Sequence, residues 1–219
     1  MSLLLNKAHF PVTVLGPGRR VGLWLQGCTI HCFACISRDT WAADPRTAIE
    51  VDAVLDWIRS LPIDEVDGVT ISGGEPLDQP DELLRLLQGI DEWRGGLDRS
   101  VDVLCYSGRG WEEVQRDFQP QLALLDAIVP EPYVQGEPTG NALTGSGNQK
   151  VIALSDLGRE RYSQGELAGS LAAQRGSLQV EVDDDTIWFI GIPSQGDMSR
   201  LRTDAARAGI TIGRPSWLV

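Results

Sequence analysis

Cys28, Cys32 and Cys35 form a C-x3-C-x2-C run, and no other feature of this chain restricts its folding as much. Three of the four cysteines in 219 residues fall within eight positions, so one loop must supply three thiols. The run follows an apolar, strand-like stretch, Val21-Gly22-Leu23-Trp24-Leu25-Gln26-Gly27, and the remaining cysteine, Cys105, is far away in sequence. Iron–sulfur clusters are held by closely spaced cysteine thiolates, and soft sulfur ligands select iron–sulfur or zinc over hard cations. Three ligands on a four-iron cluster leave one iron without a protein ligand, open to a small molecule. A structural zinc site is a rival reading. It wants four ligands, usually as two separated pairs, and the fourth here would be His31 or Cys105. His31 stands directly beside Cys32, poor geometry for chelating the same ion. A third reading takes the cysteines as small buried hydrophobes.

The length suits one domain, or one domain with an appendage. Apolar content is 42% and charged content 23%, ordinary for a soluble globular protein. The net charge of −12 argues against nonspecific nucleic-acid binding. No apolar run approaches the length of a membrane span, and Met1–Leu5 is too short for a signal peptide, being ended by Asn6-Lys7. A cytoplasmic location is expected, where clustered free thiols stay reduced. The basic residues Arg200, Arg202, Arg207 and Arg214 read as an ordinary helix face.

Strand-like and helix-like stretches alternate, which predicts a parallel sheet. Strands are expected at Val21–Gln26, Asp67–Ser72, Val101–Tyr106, Ala127–Val129 and Gln149–Leu154. Helices are expected at Thr47–Leu61, Asp81–Trp93 and Trp111–Leu125, the last with a break at Pro120. Val134–Asn148 reads as a glycine-rich loop. Beyond Ser155 the character changes. Leu178–Val182 and Thr186–Ile192 read as two strands turning at Asp183–Asp185, and Asp197–Ala208 as a helix closed by Gly209. The expected organisation is a core over 1–155 and a C-terminal extension over 156–219, which either stands as a small α/β appendage or completes the main sheet.

Ser72-Gly73-Gly74-Glu75-Pro76 falls at the carboxyl end of a predicted strand, where parallel α/β sheets bind ligands. Paired glycines let a ligand approach the backbone, and a carboxylate beyond them can hold a cationic amine. A plain turn explains this motif alone equally well. Its weight comes from its place one βα unit after the cysteine loop.

Together these segments resemble the radical SAM superfamily and, within it, the small activating proteins of anaerobic ribonucleotide reductase. Gly16–Cys28 resembles the family's strand before the cluster, and Cys35–Trp41 resembles its segment after the third cysteine. Ser72–Pro76 matches the glycine-rich motif. Tyr106-Ser107-Gly108 resembles the family's Tyr-Thr-Gly, and Gly145–Gln149 its Gly-Ser-Ser-Asn-Gln. The likeness runs from about Leu15 to Leu154. It implies an α/β fold, a partial (β/α)6 TIM-like barrel of radical SAM type, here with a small C-terminal α/β extension. It implies a [4Fe-4S] cluster ligated by Cys28, Cys32 and Cys35, whose open iron binds S-adenosyl-L-methionine. Ser72, Gly73, Gly74 and Glu75 would hold the methionine amine. Ser107, Ser146, Asn148 and Gln149 are candidates for ribose or carboxylate contacts, against ordinary turn and cap roles.

The chemistry implied is reductive cleavage of S-adenosylmethionine to methionine and a 5′-deoxyadenosyl radical, which takes hydrogen from a glycine of a glycyl-radical enzyme. The implied partners are a protein or peptide substrate and a low-potential electron donor such as flavodoxin or ferredoxin, with neither nucleic acid nor membrane. Many radical SAM proteins carry an aromatic residue just before the third cysteine; here it is Ala34, small as in the reductase activators, with Phe33 nearby. Cys105, beside Tyr106 at a strand end, is a candidate hydrogen donor to a substrate radical, or a buried small residue. Strand alternation lets only one of the two face the interior. Glu131 reads as lining the site or binding a cation, against a loop carboxylate. The extension and Cys105 keep a second function open, a maturase acting on a peptide or small metabolite. A non-enzymatic zinc-binding interaction module is the third.

Overall fold

A computed structural model describes residues 1–162, 178–183, 186–213 and 215–216. Its centre is a seven-stranded sheet in the order β3-β1-β2-β4-β5-β6-β7. The strands are β1 (Ser2–Val12), β2 (Arg20–Leu25), β3 (Ala48–Glu50), β4 (Gly68–Gly73), β5 (Asp102–Tyr106), β6 (Ala127–Val129) and β7 (Ile152–Ala153). The middle four, β2, β4, β5 and β6, run parallel. Antiparallel strands close both margins, β1 and β3 on one side and β7 on the other. The chain is thus α/β with a parallel-rich central sheet, open among the described residues.

The helices are α1 (Val51–Ser60), α2 (Pro80–Gly95), α3 (Trp111–Asp117), α4 (Gln119–Leu122), α5 (Asp156–Tyr162) and α6 (Asp197–Arg207). They form because apolar residues recur at helical spacing. In α1 the buried set is Val51, Val54, Leu55 and Ile58, one face of the helix. These pack with Leu83, Leu86, Leu87 and Ile90 of α2 against one face of the sheet. In β2, β4 and β5 the odd-numbered residues Val21, Leu23, Val69, Ile71, Val103 and Cys105, and in β6 Ile128, point into that layer. Leu104 and Tyr106 belong to the separate cluster on the opposite face.

At the amino-terminal end of the parallel strands, this second face carries a buried ion pair. Arg20 and Asp102, both 0% exposed, share two bonds of 2.9 and 2.8 Å. Arg20 also donates to Thr70 Oγ1 at 2.6 Å and to the Val69 carbonyl at 2.9 Å. From α5, Arg161 donates to Asp102 at 2.7 Å, and the Tyr162 hydroxyl donates to the same carboxylate. Such bidentate, fully satisfied pairing is what lets two charges sit out of water.

Four stretches depart from the sequence reading. Residues 48–50, expected as the first turn of a helix, pair instead with Ser2, Leu3 and Leu4. The first strand itself, Ser2–Val12, has no counterpart among the expected strands, because its apolar residues alternate poorly. The expected strand over Gln149–Leu154 shrinks to Ile152–Ala153. The helix expected over Trp111–Leu125 breaks at Phe118, just before the proline that cannot continue it.

The extension contributes β8 (Leu178–Asp183), β9 (Thr186–Gly191) and α6. β8 and β9 form an antiparallel sheet of their own, so among the described residues they do not complete the main one. The turn expected at Asp183–Asp185 falls mostly outside the described residues. The hairpin docks on the far half of β1. Ile190 is buried with Val12 and Leu15, Gln179 donates to the Pro11 carbonyl at 2.7 Å, and the Thr13 N–H donates to Gln179 at 2.9 Å.

Candidate iron–sulfur and cofactor site

Because β2, β4, β5 and β6 are parallel, their carboxyl ends put the cysteine loop, the Gly-Gly-Glu turn, the Ser107-Gly108 turn and Glu131 on one side of the sheet. The cysteine loop is closed at its base by backbone bonds from Gly27 to Thr40 (2.7 Å) and from Cys28 to Trp41 (3.0 Å). Gln26, 3% exposed, reinforces the closure by donating to the carbonyls of Asp39 (3.0 Å) and Ala42 (2.6 Å). Within the loop His31 (φ 51) and Ala34 (φ 61) take the left-handed conformation, which costs an L-residue about 1–2 kcal/mol.

The three thiols are half-buried. Burial pushes the thiols of Cys28 and Cys32 up from their ordinary value, against opposing backbone hydrogen bonds that include those from His31 and Ile30 to Cys28. Among the described residues no three or more His, Cys, Asp or Glu side chains converge closely enough to share one ion. A four-iron cluster asks instead for thiolates on separate irons, which this loop supplies. Cys35 also lines a cavity of 460 Å³ together with Trp24, Ser72, Tyr106, Tyr133 and Gln149, within the size range of small-molecule sites, about 300–1,000 Å³. The Tyr106 hydroxyl is buried and has no hydrogen-bond partner among the described residues. A buried polar atom of this kind is costly unless something bonds it. The donor set and the cavity fit a cluster with a small ligand beside it.

The glycines allow close packing of the turn on the loop. A Cβ on Gly73, whose φ is 112, would lie 2.3 Å from the Leu25 nitrogen, and one on Gly74 would lie 2.0 Å from the Gly27 carbonyl oxygen. The turn is pressed backbone to backbone against the base of the cysteine loop, and Gly74 and Glu75 donate to the Leu25 and Gly27 carbonyls at 2.8 Å each.

Glu75 is 0% exposed. It accepts from the Leu77 N–H (3.0 Å), the Ser107 hydroxyl (2.9 Å) and the Gly108 N–H (2.6 Å). Burial raises its carboxyl pKa in spite of these donors. The side chain thus joins the ends of β4 and β5. Asp78 extends the tie. It accepts from the Thr29 N–H at 2.7 Å and hydroxyl at 2.9 Å in the cysteine loop, and from Arg109 at 2.6 Å beyond β5.

The other candidates are also engaged within the protein. Ser107 accepts from the Arg109 N–H at 3.1 Å. Ser146, 0% exposed, accepts from the Val134 N–H at 3.0 Å and donates to Asn148 at 2.7 Å. Asn148 donates to the Pro132 carbonyl and Gln149 to the Glu131 carbonyl, each at 2.8 Å. Of these, Gln149 also lines the cavity. The Glu131 carboxylate accepts from the Trp111 N–H at 2.9 Å and caps α3. Phe33 is 77% exposed and does not line the cavity.

The structure places Cys105 where its alternative reading, a buried small residue, puts it. Its thiol lies in the helix-packed core, 0% exposed, and burial raises its pKa, with Glu75 adding to the effect. Tyr106 takes the interior face instead. Gln26 and Asp78 do not stand out in the sequence as site residues, and only the position of Asp78, two residues beyond the Ser72–Pro76 motif, carries a signal.

Residues 14–152 match the family model described as 4Fe-4S single cluster domain. The chain is 28% identical to the anaerobic ribonucleoside-triphosphate reductase-activating protein of Enterobacteria phage T4, over 65% of this chain and 89% of that protein. It is 27% identical to the pyruvate formate-lyase-activating enzyme of Streptococcus mutans, over 71% of this chain and 62% of that enzyme. The Staphylococcus aureus enzyme of the same name is 31% identical over 66% of this chain and 60% of its own length. The chain therefore spans less than two thirds of these two enzymes.

Proposed function

The chain belongs to the 4Fe-4S single cluster domain family, and from that premise we propose that it is a radical SAM activating enzyme whose substrate is a protein glycine. Two of its relatives activate pyruvate formate-lyase and another activates anaerobic ribonucleoside-triphosphate reductase. The observation that carries the reading is the joining of three strand ends. The base of the loop that carries three half-buried thiols rests on the Gly73-Gly74-Glu75 turn, which Ser107 and Gly108 tie to β5.

In this reading Cys28, Cys32 and Cys35 hold a [4Fe-4S] cluster, and S-adenosylmethionine lies in the adjoining cavity. Together the two cofactors supply reductive cleavage to a 5′-deoxyadenosyl radical and hydrogen abstraction from glycine. The protein's own part is to place and shield. Glu75 and Asp78 hold the loops rigid, Ser72 and Tyr106 line the cavity, and the aromatic walls exclude water from reactive species. No helix among the described residues is long and apolar enough to cross a membrane, and a cytoplasmic location with flavodoxin or ferredoxin as electron donor completes the reading. A second substrate class, a peptide matured in a biosynthetic pathway, is favoured by the extension, which lies beyond the matched region and lines the cavity.

Anaerobic reconstitution with iron and sulfide, followed by dithionite and S-adenosylmethionine, tests this. The expected outcome is 5′-deoxyadenosine from the native chain and from Cys105→Ala, and none above background from Cys32→Ala. A chain that loads a cluster yet forms no 5′-deoxyadenosine would refute the proposal.

A further inference from the structure

The Gly145–Gln149 motif clasps the segment that follows β6. Glu131, in that segment, takes the left-handed conformation with φ 82, which is unfavourable for an L-residue. Such a conformation persists where the surroundings over-determine it, and here they do. The Glu131 N–H donates to the Arg109 carbonyl at 2.9 Å, and its carbonyl accepts from Gln149 at 2.8 Å. Its carboxylate accepts from the Trp111 N–H at 2.9 Å. The Pro132 carbonyl accepts from Asn148 at 2.8 Å, and the Val134 N–H donates to the Ser146 hydroxyl at 3.0 Å. Ser146 in turn donates to Asn148 at 2.7 Å, and the Gly145 N–H donates to Gln149 at 2.9 Å. Both neighbours of Tyr133 are thus fixed, and a Cβ on Gly145 would stand 3.0 Å from the Tyr133 ring. Tyr133 itself reaches the cysteine loop. With Ala34, Cys35 and Ile36 it lines both the 460 Å³ cavity and a second one of 370 Å³. Burial pushes the Cys32 thiol up, and hydrogen bonding from the Tyr133 backbone opposes it.

We propose that Gly145–Gln149 is a positioning brace, which sets the reduction potential of the cluster by holding the Tyr133 N–H against the Cys32 sulfur. Reduction by one electron from the donor protein adds negative charge that the thiolate ligands share. An N–H aimed at a ligand sulfur stabilises that charge, and hydrogen bonds to the sulfurs are among the features that fix cluster potentials. With the N–H in place the reduced form is favoured and the potential rises; without it the potential falls. The brace residues are positioning residues, acting through Tyr133. The proposal rests on the reading of Cys32 as a cluster ligand and adds how that ligand is tuned.

The test compares the full-length native chain, reconstituted with iron and sulfide, with Asn148→Ala, Asn148→Asp and Asp102→Asn. Asn148→Ala frees the Pro132 carbonyl and the Ser146 hydroxyl, whereas Asn148→Asp keeps the acceptor for Ser146 and loses only the donor to Pro132. Asp102→Asn breaks the ion pair at the other end of the sheet, and so lowers stability without touching the brace. Electron paramagnetic resonance at poised solution potentials reads the cluster before any S-adenosylmethionine is added. At the native midpoint both Asn148 variants should show about a tenfold lower ratio of reduced to oxidised cluster, equivalent to about 59 mV for one electron. Asp102→Asn should stay within about twofold of the native ratio. In the cluster-free chains, amide exchange over residues 131–134 should quicken in both Asn148 variants. A native potential in those variants, an equal fall in Asp102→Asn, or unchanged exchange would each overturn the proposal. 5′-Deoxyadenosine formation by the native preparation is measured separately. Its absence beside shifted potentials would sink the proposed chemistry and leave the brace standing. Its presence beside unmoved potentials would sink the brace alone, and a native chain that loads no cluster would sink both.

Discussion

Gly74 shows how a single hydrogen atom can hold a site together. Its Cα faces the Gly27 carbonyl so closely that a methyl group would overlap the oxygen at 2.0 Å and stand 2.9 Å from the Thr40 carbonyl oxygen. Both neighbours are backbone, so neither can swing aside as a side chain would. Gly74→Ala must push the Gly-Gly-Glu turn away from the cysteine loop. Overpacking of this sort costs about 1–3 kcal/mol, and the expected result is that much loss of stability in urea. Iron content after reconstitution should fall as well, because the displaced contact is the base of the ligand loop. Unchanged stability would mean that the turn and loop are not in contact. The cysteines and the Gly-Gly-Glu motif are legible in the sequence because their residue types are unusual in combination. The role of Glu75 is not: a carboxylate after two glycines reads as a ligand for an amine, and only the fold shows it bound by Leu77, Ser107 and Gly108. Tyr106 and Cys105 can be told apart only once the strand's facing is known.

At the scale of elements, the cysteine loop is a long excursion between β2 and β3, and its shape is set by one buried side chain. Gln26 spans the loop by donating to the Asp39 and Ala42 carbonyls and accepting from Asn6 of β1 at 2.6 Å. Gln26→Ala leaves two carbonyls and one amide without these bonds, a cost of about 2–3 kcal/mol by the range for unsatisfied buried groups. The damage should be local. The expected signature is faster loss of iron to a chelator at a temperature where the far-ultraviolet circular dichroism of the variant still overlays that of the native chain. Equal rates of iron loss would show that the loop holds itself without Gln26. The sequence announces the parallel strands well, since Val21, Leu23 and Leu25, Val69 and Ile71, and Val103 and Leu104 give β2, β4 and β5 a buried apolar content. It announces the margins poorly. β1 and β3 owe their conformation to each other, through pairing of Ser2, Leu3 and Leu4 with residues 48–50, and nothing local in either segment specifies it.

Across the whole molecule, the two ends of the parallel sheet do different work. The carboxyl end carries the loops of the site, while the amino end carries Arg20 and Asp102, with Thr70, Arg161 and Tyr162 closing the network. This network ties β2, β4, β5 and α5, four elements drawn from across the chain. Burial pushes the Asp102 carboxyl pKa up, but Arg20, Tyr162 and Arg161 outweigh it and hold the pKa below the ordinary carboxylate value. A depressed pKa in the folded state means that the unfolded chain takes up the proton first. The stability Asp102 contributes is therefore present above about pH 4, the unfolded value, and drains away as the pH falls through the lower folded pKa. Asp102→Asn removes the charge and leaves Arg20 buried without its counter-ion. Breaking such a pair costs about 3–5 kcal/mol, so the variant should melt well below the native chain at pH 7. The gap should narrow as the pH is lowered below about 4, where the native carboxylate is itself being protonated. Since Asp102 stands four residues before Tyr106 on β5, at the far end from the cluster loop, the folded fraction of the variant should form 5′-deoxyadenosine at the native rate. A gap that stays constant down to about pH 2, well below the unfolded value, would show that Asp102 is not held as the anion by Arg20. A loss of turnover per folded molecule would show that the two ends of the sheet are mechanically coupled.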